Sequence, residues 1–320
     1  MTILARGLPD RDHPLRRPIV AIGNFDGLHL GHQAIIARTV RRAREVDGTS
    51  VVVTFDPHPV TVLRPEAPLG LLTTLEQKVE LLEGLGVDLV VALPFTPEFA
   101  RRSAEQFVRE DLAERIGARE VYVGRNFGFG KGREGGVTDL KRFGEALGVR
   151  VMIEDPVLVD HAMVCSSAIR VFLQQGRVAE AAALLGRPYA IDGVVAHGEG
   201  RGRALGYPTA NLRPGAQMLP KIGIYVATVD DGTSGERRQA AVVYVGSQPT
   251  FGAREVQVEV HFLDDHDARY DHRLRIGFVA WIRGEERFPD SGALIAQIER
   301  DVRAAREMLA ARRNPQGLAS

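Results

Sequence analysis

The chain lacks the features that would tie it to a secretory, membrane or nucleic-acid-binding role. It has a single cysteine, Cys165, in 320 residues, so no intrachain disulfide can form and a reducing compartment is the natural setting. No stretch approaches the roughly 18 uncharged apolar residues of a membrane span. The N-terminal MTILARGLPDRDHPLRRP carries charges but no apolar centre of signal-peptide kind. A cytoplasmic protein with no membrane partner is therefore expected. An excess of either charge is missing too, because 41 basic side chains balance 41 acidic ones. Such a surface sets up no global field for a polyanion, which argues against nucleic acid and leaves room for a local basic pocket. Oligomeric state leaves no trace in the sequence.

What is present suits two ordinary cores, with 44% apolar and 26% charged residues. The first half alternates short apolar runs (19–22, 50–55, 89–93, 120–123, 150–153) with amphipathic stretches (31–45, 75–85, 104–116, 140–147). Val-rich runs separated by helix-length segments predict an α/β domain with a parallel sheet, whose ligands sit beyond the carboxyl ends of the strands. Residues 167–185 read as two short helices broken at Gly176 and ending at Gly186-Arg187-Pro188, a boundary signal. Beyond it, runs at 190–196, 224–229, 239–245, 256–262 and 274–281 lack intervening helices and predict a small antiparallel β-barrel. A terminal helix over 291–311 and a frayed tail follow. The expected domains are 1–186 and 187–320.

Chemistry concentrates where the first strand ends, in Gly23-Asn24-Phe25-Asp26-Gly27-Leu28-His29-Leu30-Gly31-His32. A strand-to-helix turn of this kind presents free N–H groups to phosphate. Gly31 allows close backbone approach, and His29 and His32 can donate hydrogen bonds to charge building on a reacting phosphate. A metal site would need further ligands that the local spacing does not supply. Ser166 and Ser167 can open a helix and offer hydroxyls and N–H groups to a triphosphate, and Arg170, one turn on, adds a permanent cation. Asp56 and His58 lie in a proline-fixed turn, and Asn126 and Phe127, near Phe129, form a polar and aromatic loop. In the second half, a loop with Gly198, Gly200, Gly202 and Arg203 can wrap phosphates, although it lacks the GK[ST] ending of a Walker A loop. Gly206-Tyr207-Pro208-Thr209-Ala210-Asn211-Leu212 follows. Thr209 and Asn211 are hard oxygen donors suited to Mg²⁺, and also good turn residues.

These segments together resemble the bacterial bifunctional riboflavin kinase/FAD synthetase family. GNFDGLHLGHQ is similar to the nucleotidyltransferase turn, VTFDPHP (53–59) to the second-strand motif, GRNFGFG (124–130) to the NF-x-FG loop and SSAIR (166–170) to the SS-[ST]-x-I-R motif. GYPTANL (206–212), LPKIGIY (219–225), GSQPTF (246–251) and EVHFLD (259–264) match the kinase half in order. The resemblance implies a Rossmann-like nucleotidyltransferase domain and a riboflavin kinase-like barrel. It also implies riboflavin, FMN and ATP as substrates and Mg²⁺ as cofactor, with Glu259 as catalytic carboxylate, Asp56, His58 and Arg283 on the flavin side, and Asn126 and Phe127, near Phe129, cradling adenine or flavin. Three residues depart from the pattern: Cys165 replaces the first serine, Tyr244 an asparagine, and Asp271 a glycine. A copy with one live half, or a flavin or nucleotide sensor without turnover, is the alternative.

Overall fold

The computed structural model describes residues 1–10, 14–66, 69–196, 206–232, 238–250, 253–264 and 270–313, with backbone alone at 247–250, 253–256 and 313. The chain divides into two compact units, Met1–Ser166 and Ser167–Ser320.

Six strands build the sheet of the first unit: β1 (Ile3–Arg6), β2 (Ile19–Ile22), β3 (Ser50–Asp56), β4 (Leu89–Pro94), β5 (Glu120–Gly124) and β6 (Arg150–Glu154). All pairings are parallel, in the order β1-β4-β3-β2-β5-β6. The expected strands are all present. The extra strand β1 was hidden in the charged N-terminal segment, because four residues, Ile-Leu-Ala-Arg, carry too little pattern to separate an edge strand from a leader.

Both faces of this sheet are buried, and successive side chains of one strand feed opposite layers. Val20 and Ile22 pack with Phe107, Leu112 and Leu140 on one side. Ile19 and Ala21 pack with Ile36, Val40 and Leu82 on the other. The crossover segments are α1 (Leu30–Glu45), the short α2 (Pro59–Leu63), α3 (Leu75–Gly84), α4 (Ala104–Gln106) and α5 (Val137–Ala146). Helix α4 runs straight into a π-helical stretch, Phe107–Ile116, ended by Gly117 in the left-handed region. The chain winds from β2 through β3 and β4 to one side and returns to β5 and β6 on the other. The carboxyl end of β2 is therefore the switch point where an open α/β sheet forms its crevice. A two-strand hairpin, β7 (Leu158–Val159) and β8 (Ala162–Met163), precedes the next helix.

In the second unit, α6 (Ser166–Gln174) and α7 (Val178–Leu185) are separated at Gly176, as the sequence indicates. Gly186, in the left-handed region, ends α7. The compact units divide between Ser166 and Ser167, at the first residue of α6, whereas the Gly186-Arg187-Pro188 signal lies behind α7.

The barrel is closed, with all-antiparallel order β10-β13-β12-β11-β14-β9. Its strands are β9 (Tyr189–Ala196), β10 (Ala210–Pro214), β11 (Gly223–Asp230), β12 (Gln239–Thr250), β13 (Ala253–Phe262) and β14 (Arg273–Arg283). Strand β10 was read as loop, since Ala-Asn-Leu-Arg-Pro offers only two inward apolar residues and ends in proline. It nevertheless closes the barrel between β9 and β13. Tyr189, Tyr225, Val243, Val258, Ile276 and Phe278 are fully buried. The terminal helix α8 (Ser291–Arg313) covers an outer face, where Ala305 and Val302 meet Val226 and Val279. The Arg283 guanidinium grips the buried Asp301 carboxylate of α8 through Nε (3.0 Å) and Nη2 (2.8 Å).

The lone tryptophan, Trp281, lies edge-on to Tyr225 at 5.1 Å, and Tyr225 in turn meets Phe278 at 5.1 Å, so its emission reports barrel packing. Phe278→Ala removes a fully buried ring and should cost about 3–5 kcal/mol. The expected outcome is a lower urea midpoint followed by Trp281 fluorescence, with the slope unchanged.

Candidate active sites

The turn after β2 is held from four directions. The Asp26 carboxylate is 3% exposed and accepts N–H groups from Leu72 (3.0 Å) and Thr73 (3.1 Å). Gly27 N–H donates to Thr73 Oγ1 at 3.1 Å. The Asp26 carbonyl accepts the Ser166 hydroxyl at 2.9 Å, which ties the start of α6 to the turn. The Asn24 carbonyl accepts the Lys78 ammonium at 2.7 Å and the Thr54 hydroxyl at 3.1 Å. Phe25 and Leu28 hold positive φ (48° and 41°) with both side chains in the core. Three of the residues expected to bind phosphate have protein partners of their own: the Phe25 ring is buried in the core, the Asp26 carboxylate braces the 72–73 backbone, and Gly23 packs closely beneath the Phe25 ring. Their backbone shapes the turn.

The two histidines do come together. His29 caps α1, its Nδ1 accepting the His32 N–H at 3.3 Å, which leaves its ring proton on Nε2. The two rings stack at 3.5 Å with an 18° interplanar angle, and Phe25 meets His32 edge-on at 5.2 Å. Burial, then the neighbouring His29 and Lys78, hold the His32 imidazole well below its ordinary 6.5. His32 is thus neutral near pH 7 and acts as a hydrogen-bonding group rather than a cation. Its Nδ1 is buried with no partner among the described residues. Gly31 lies beside the His29 ring, in the first turn of α1.

Lys78 was invisible in the sequence, where it is one polar residue of an amphipathic helix. In the fold it is 5% exposed, and burial pulls its ammonium down from 10.5 to about 8 against the opposing pull of Asp26 and Asp56.

A cavity of about 510 Å³ opens beside this turn, lined by Asn24, Phe55, Phe95, Phe99, Asn126 and Phe127, among others. Asn24, Asn126 and Phe127 thus share one pocket. Its aromatic wall is continuous, with Phe55–Phe95 at 5.7 Å, Phe95–Phe99 at 5.6 Å and Phe127 stacked on Phe129 at 5.4 Å. Volume and apolar lining suit a flat heteroaromatic ligand. Asp56 and His58 also have protein partners. Asp56 pairs with Arg6 at 3.3 Å, and His58 Nδ1 caps α2 by accepting the Val60 N–H at 3.2 Å. Ser167 and Arg170 lie in the first two turns of α6.

On the barrel, Asn211 of β10 faces Glu259 of β13 directly across the ladder. Ala210, Leu212, Val258 and Val260 point into the core, so Asn211 and Glu259 share the outer face. Thr209 Oγ1 lies 3.4 Å from Glu259 Oε2, and Asn211 Oδ1 accepts Gln257 Nε2 at 2.7 Å. The structure therefore brings Thr209, Asn211 and Glu259 together. Gly198, Gly200, Gly202 and Arg203 lie outside the described residues. Arg283, expected near flavin, is clamped by Asp301, with Nη1 on the Gly284 carbonyl.

The departures from the family pattern also find places. Tyr244 stands opposite Glu259 in register, and its hydroxyl hydrogen-bonds Glu285. Its ring covers Gly246, where any Cβ would overlap the phenol. Burial and then the two carboxylates raise the Tyr244 pKa above its usual 10. Asp271 keeps a left-handed φ of 62°, a conformation that suits the glycine it replaces and that aspartate tolerates. Cys165 is a half-buried free thiol.

Comparison with known proteins agrees with this division. The FAD synthetase family profile matches residues 12–168 and the riboflavin kinase profile residues 185–309. The "Bifunctional riboflavin kinase/FMN adenylyltransferase" of Pseudomonas fluorescens is 38% identical over 96% of this chain and 98% of its own. That of Escherichia coli K12 is 33% identical over 95% and 97%, and that of Listeria monocytogenes 35% over 91% and 92%. A solved structure from Streptococcus pneumoniae, described as a macrolide-efflux protein, matches with TM-score 0.85 at 29% identity, covering 95% of this chain and 98% of that one. No described helix here is long and apolar enough to cross a membrane. Two nucleotide-dependent transferase modules thus lie in one polypeptide. The chain belongs to the bifunctional riboflavin kinase/FMN adenylyltransferase family.

The depressed Lys78 ammonium makes stability pH-dependent with a definite sign. Below about pH 8 native and unfolded chains both hold the proton. Between about 8 and 10.5 the unfolded chain holds it and the native one does not, so stability rises with pH. The rise should reach about 3 kcal/mol. Urea titrations followed by far-UV circular dichroism at pH 7.5 and pH 10 should show this increment in the native protein and its loss in Lys78→Met.

Proposed function

We propose that the chain phosphorylates riboflavin to FMN on the barrel and adenylylates FMN to FAD on the parallel sheet, using ATP in both reactions. The observation that carries this reading is the separation of two chemically different clusters. A stacked histidine pair lies at the switch point of one unit, and a Thr209–Asn211–Glu259 cluster lies on the barrel of the other. The functional division is placed at 1–186 and 187–320, with Ser166, Ser167 and Arg170 serving the adenylyl site.

In the adenylyl step an oxygen of the FMN phosphate attacks the α-phosphorus of ATP, and the bond to the β-phosphate breaks to release pyrophosphate. The nucleophile is already largely ionised near pH 7, since its second pKa is about 6, so no general base is required. Alignment and charge stabilisation remain. His29 Nε2–H and the neutral His32 imidazole donate to the reacting phosphate, Arg170 supplies positive charge, and the N-terminus of α1 faces the phosphates. The flavin ring occupies the aromatic pocket, with Asn24 and Asn126 at its polar edge.

The kinase step differs because its nucleophile is a neutral alcohol. Glu259 takes the proton of the ribityl 5′-hydroxyl as that oxygen bonds to the γ-phosphorus and ADP departs. Thr209 and Asn211 would hold Mg²⁺; their oxygens fit a hard cation that completes its shell with phosphates. Among the described residues no group of three His, Cys, Asp or Glu side chains could hold a metal alone, which agrees with a metal carried in with the nucleotide. When bound, the ion neutralises phosphate charge. The glycine loop with Gly198, Gly200, Gly202 and Arg203 is assigned to the same phosphates. The second reading, a chain with one live half, draws on Cys165 in the adenylyl half, and on Tyr244 and Asp271 in the kinase half.

Glu259→Ala should abolish FMN formation from riboflavin while FAD formation from supplied FMN continues. His29→Ala and His32→Ala should do the reverse, with losses of at least about 100-fold. Chromatography of both product mixtures decides the matter. Either substitution silencing both reactions in a folded protein would overturn the two-site assignment.

A further inference from the structure

The aromatic pocket contains three arginines and no carboxylate: Arg64, Arg102 and Arg133 all line it. Their circumstances differ. Arg102 is neutralised, its Nη1 lying 2.7 Å from both oxygens of the buried Asp111, with Glu110 on Nη2. Its guanidinium also sits 5.7 Å over the Phe99 ring, so it belongs to the wall.

Arg64 and Arg133 have no carboxylate partner among the described residues. Arg64 closes α2, whose only side-chain cap is His58 at the other end. Among the described residues the Arg133 guanidinium makes one long hydrogen bond, Nη2 to the Asn126 carbonyl at 3.4 Å. Its guanidinium lies flat against Gly128, where a Cβ would come within 2.9 Å of Nη2 and 3.0 Å of Nε. Gly128 thus provides the room that brings a cation onto the loop carrying Asn126 and Phe127. Two uncompensated guanidinium groups beside an aromatic slot favour a ligand that is both flat and anionic.

We propose that Arg64 and Arg133 select the phosphorylated flavin over the unphosphorylated one, by pairing with the phosphate group while the aromatic wall holds the ring. This rests on the assignment of the aromatic pocket to flavin. The adenylyl module would then reject riboflavin, the substrate of its own partner module, on charge alone. The two arginines come from different segments, the end of α2 and the loop after β5. The phosphate would accordingly be held by two separate segments of the chain.

The test measures FAD formation from FMN and ATP. Lumiflavin, which has the flavin ring but no ribityl chain and cannot be phosphorylated, serves as a neutral competitor. Arg133→Met and Arg64→Met should each raise KM for FMN about tenfold and leave the lumiflavin inhibition constant within twofold. Arg133→Lys should recover part of the loss. Phe127→Ala should weaken FMN and lumiflavin together, and the FMN-forming reaction of the same preparations monitors folding. If Phe127→Ala moves neither constant, the pocket is not the flavin site. If Phe127→Ala moves both while the arginine variants move neither, or move both equally, the pocket holds flavin but the charge selection proposed here is wrong.

Discussion

The buried bracing of one turn, residues 23–29, is the constraint on which the first site depends. Asp26 and Lys78 are both almost fully buried, and each binds backbone rather than only the other's charge. A buried charge without partners would be costly, so these hydrogen bonds fix where the turn can lie. With Asn24 and Asp26 pinned, Phe25 and Leu28 are driven into left-handed φ and into the core. His29 then arrives at the one position where it can cap α1 and stack on His32. The site's geometry follows from the loop's internal bonding, before any ligand is considered.

The barrel reaches its site by a different route. Ladder register alone places Asn211 against Glu259, and the alternation of strand side chains turns both to the outer face. A one-residue slip would send them into the core and bring Leu212 or Val258 out. Closure through β10 therefore sets the Thr209–Asn211–Glu259 cluster as well as stability. Tyr244 occupies the neighbouring register position and bonds to Glu285, so the Glu259 carboxylate lies beside a phenol in place of the usual amide.

Much of this was legible in the sequence. Val-rich runs such as 50–55 and 120–123, and the polar motif directly after 19–22, fixed the sheet and the place of the histidines, because period and punctuation carry that information locally. Thr209, Asn211 and Glu259 came from motif resemblance, and the register explains how residues so far apart in the chain come together. What stayed hidden was partner choice. Arg283 is a cation after a strand in any reading, and only the fold reveals Asp301 at 2.8 Å. Lys78 likewise looks like a solvated helix residue until α3 is packed behind β3 and the turn. Strands β1 and β10 were missed because each is too short to show its own period.

The central claim is that each of two separate clefts directs its own oxygen nucleophile at its own phosphorus of ATP. A time course with riboflavin, ATP and Mg²⁺ resolved by chromatography tests it most directly. FMN should build up first and FAD should follow, with pyrophosphate released in step with FAD. Absence of both products, or FAD formed without an FMN-producing activity in the same chain, would contradict the account.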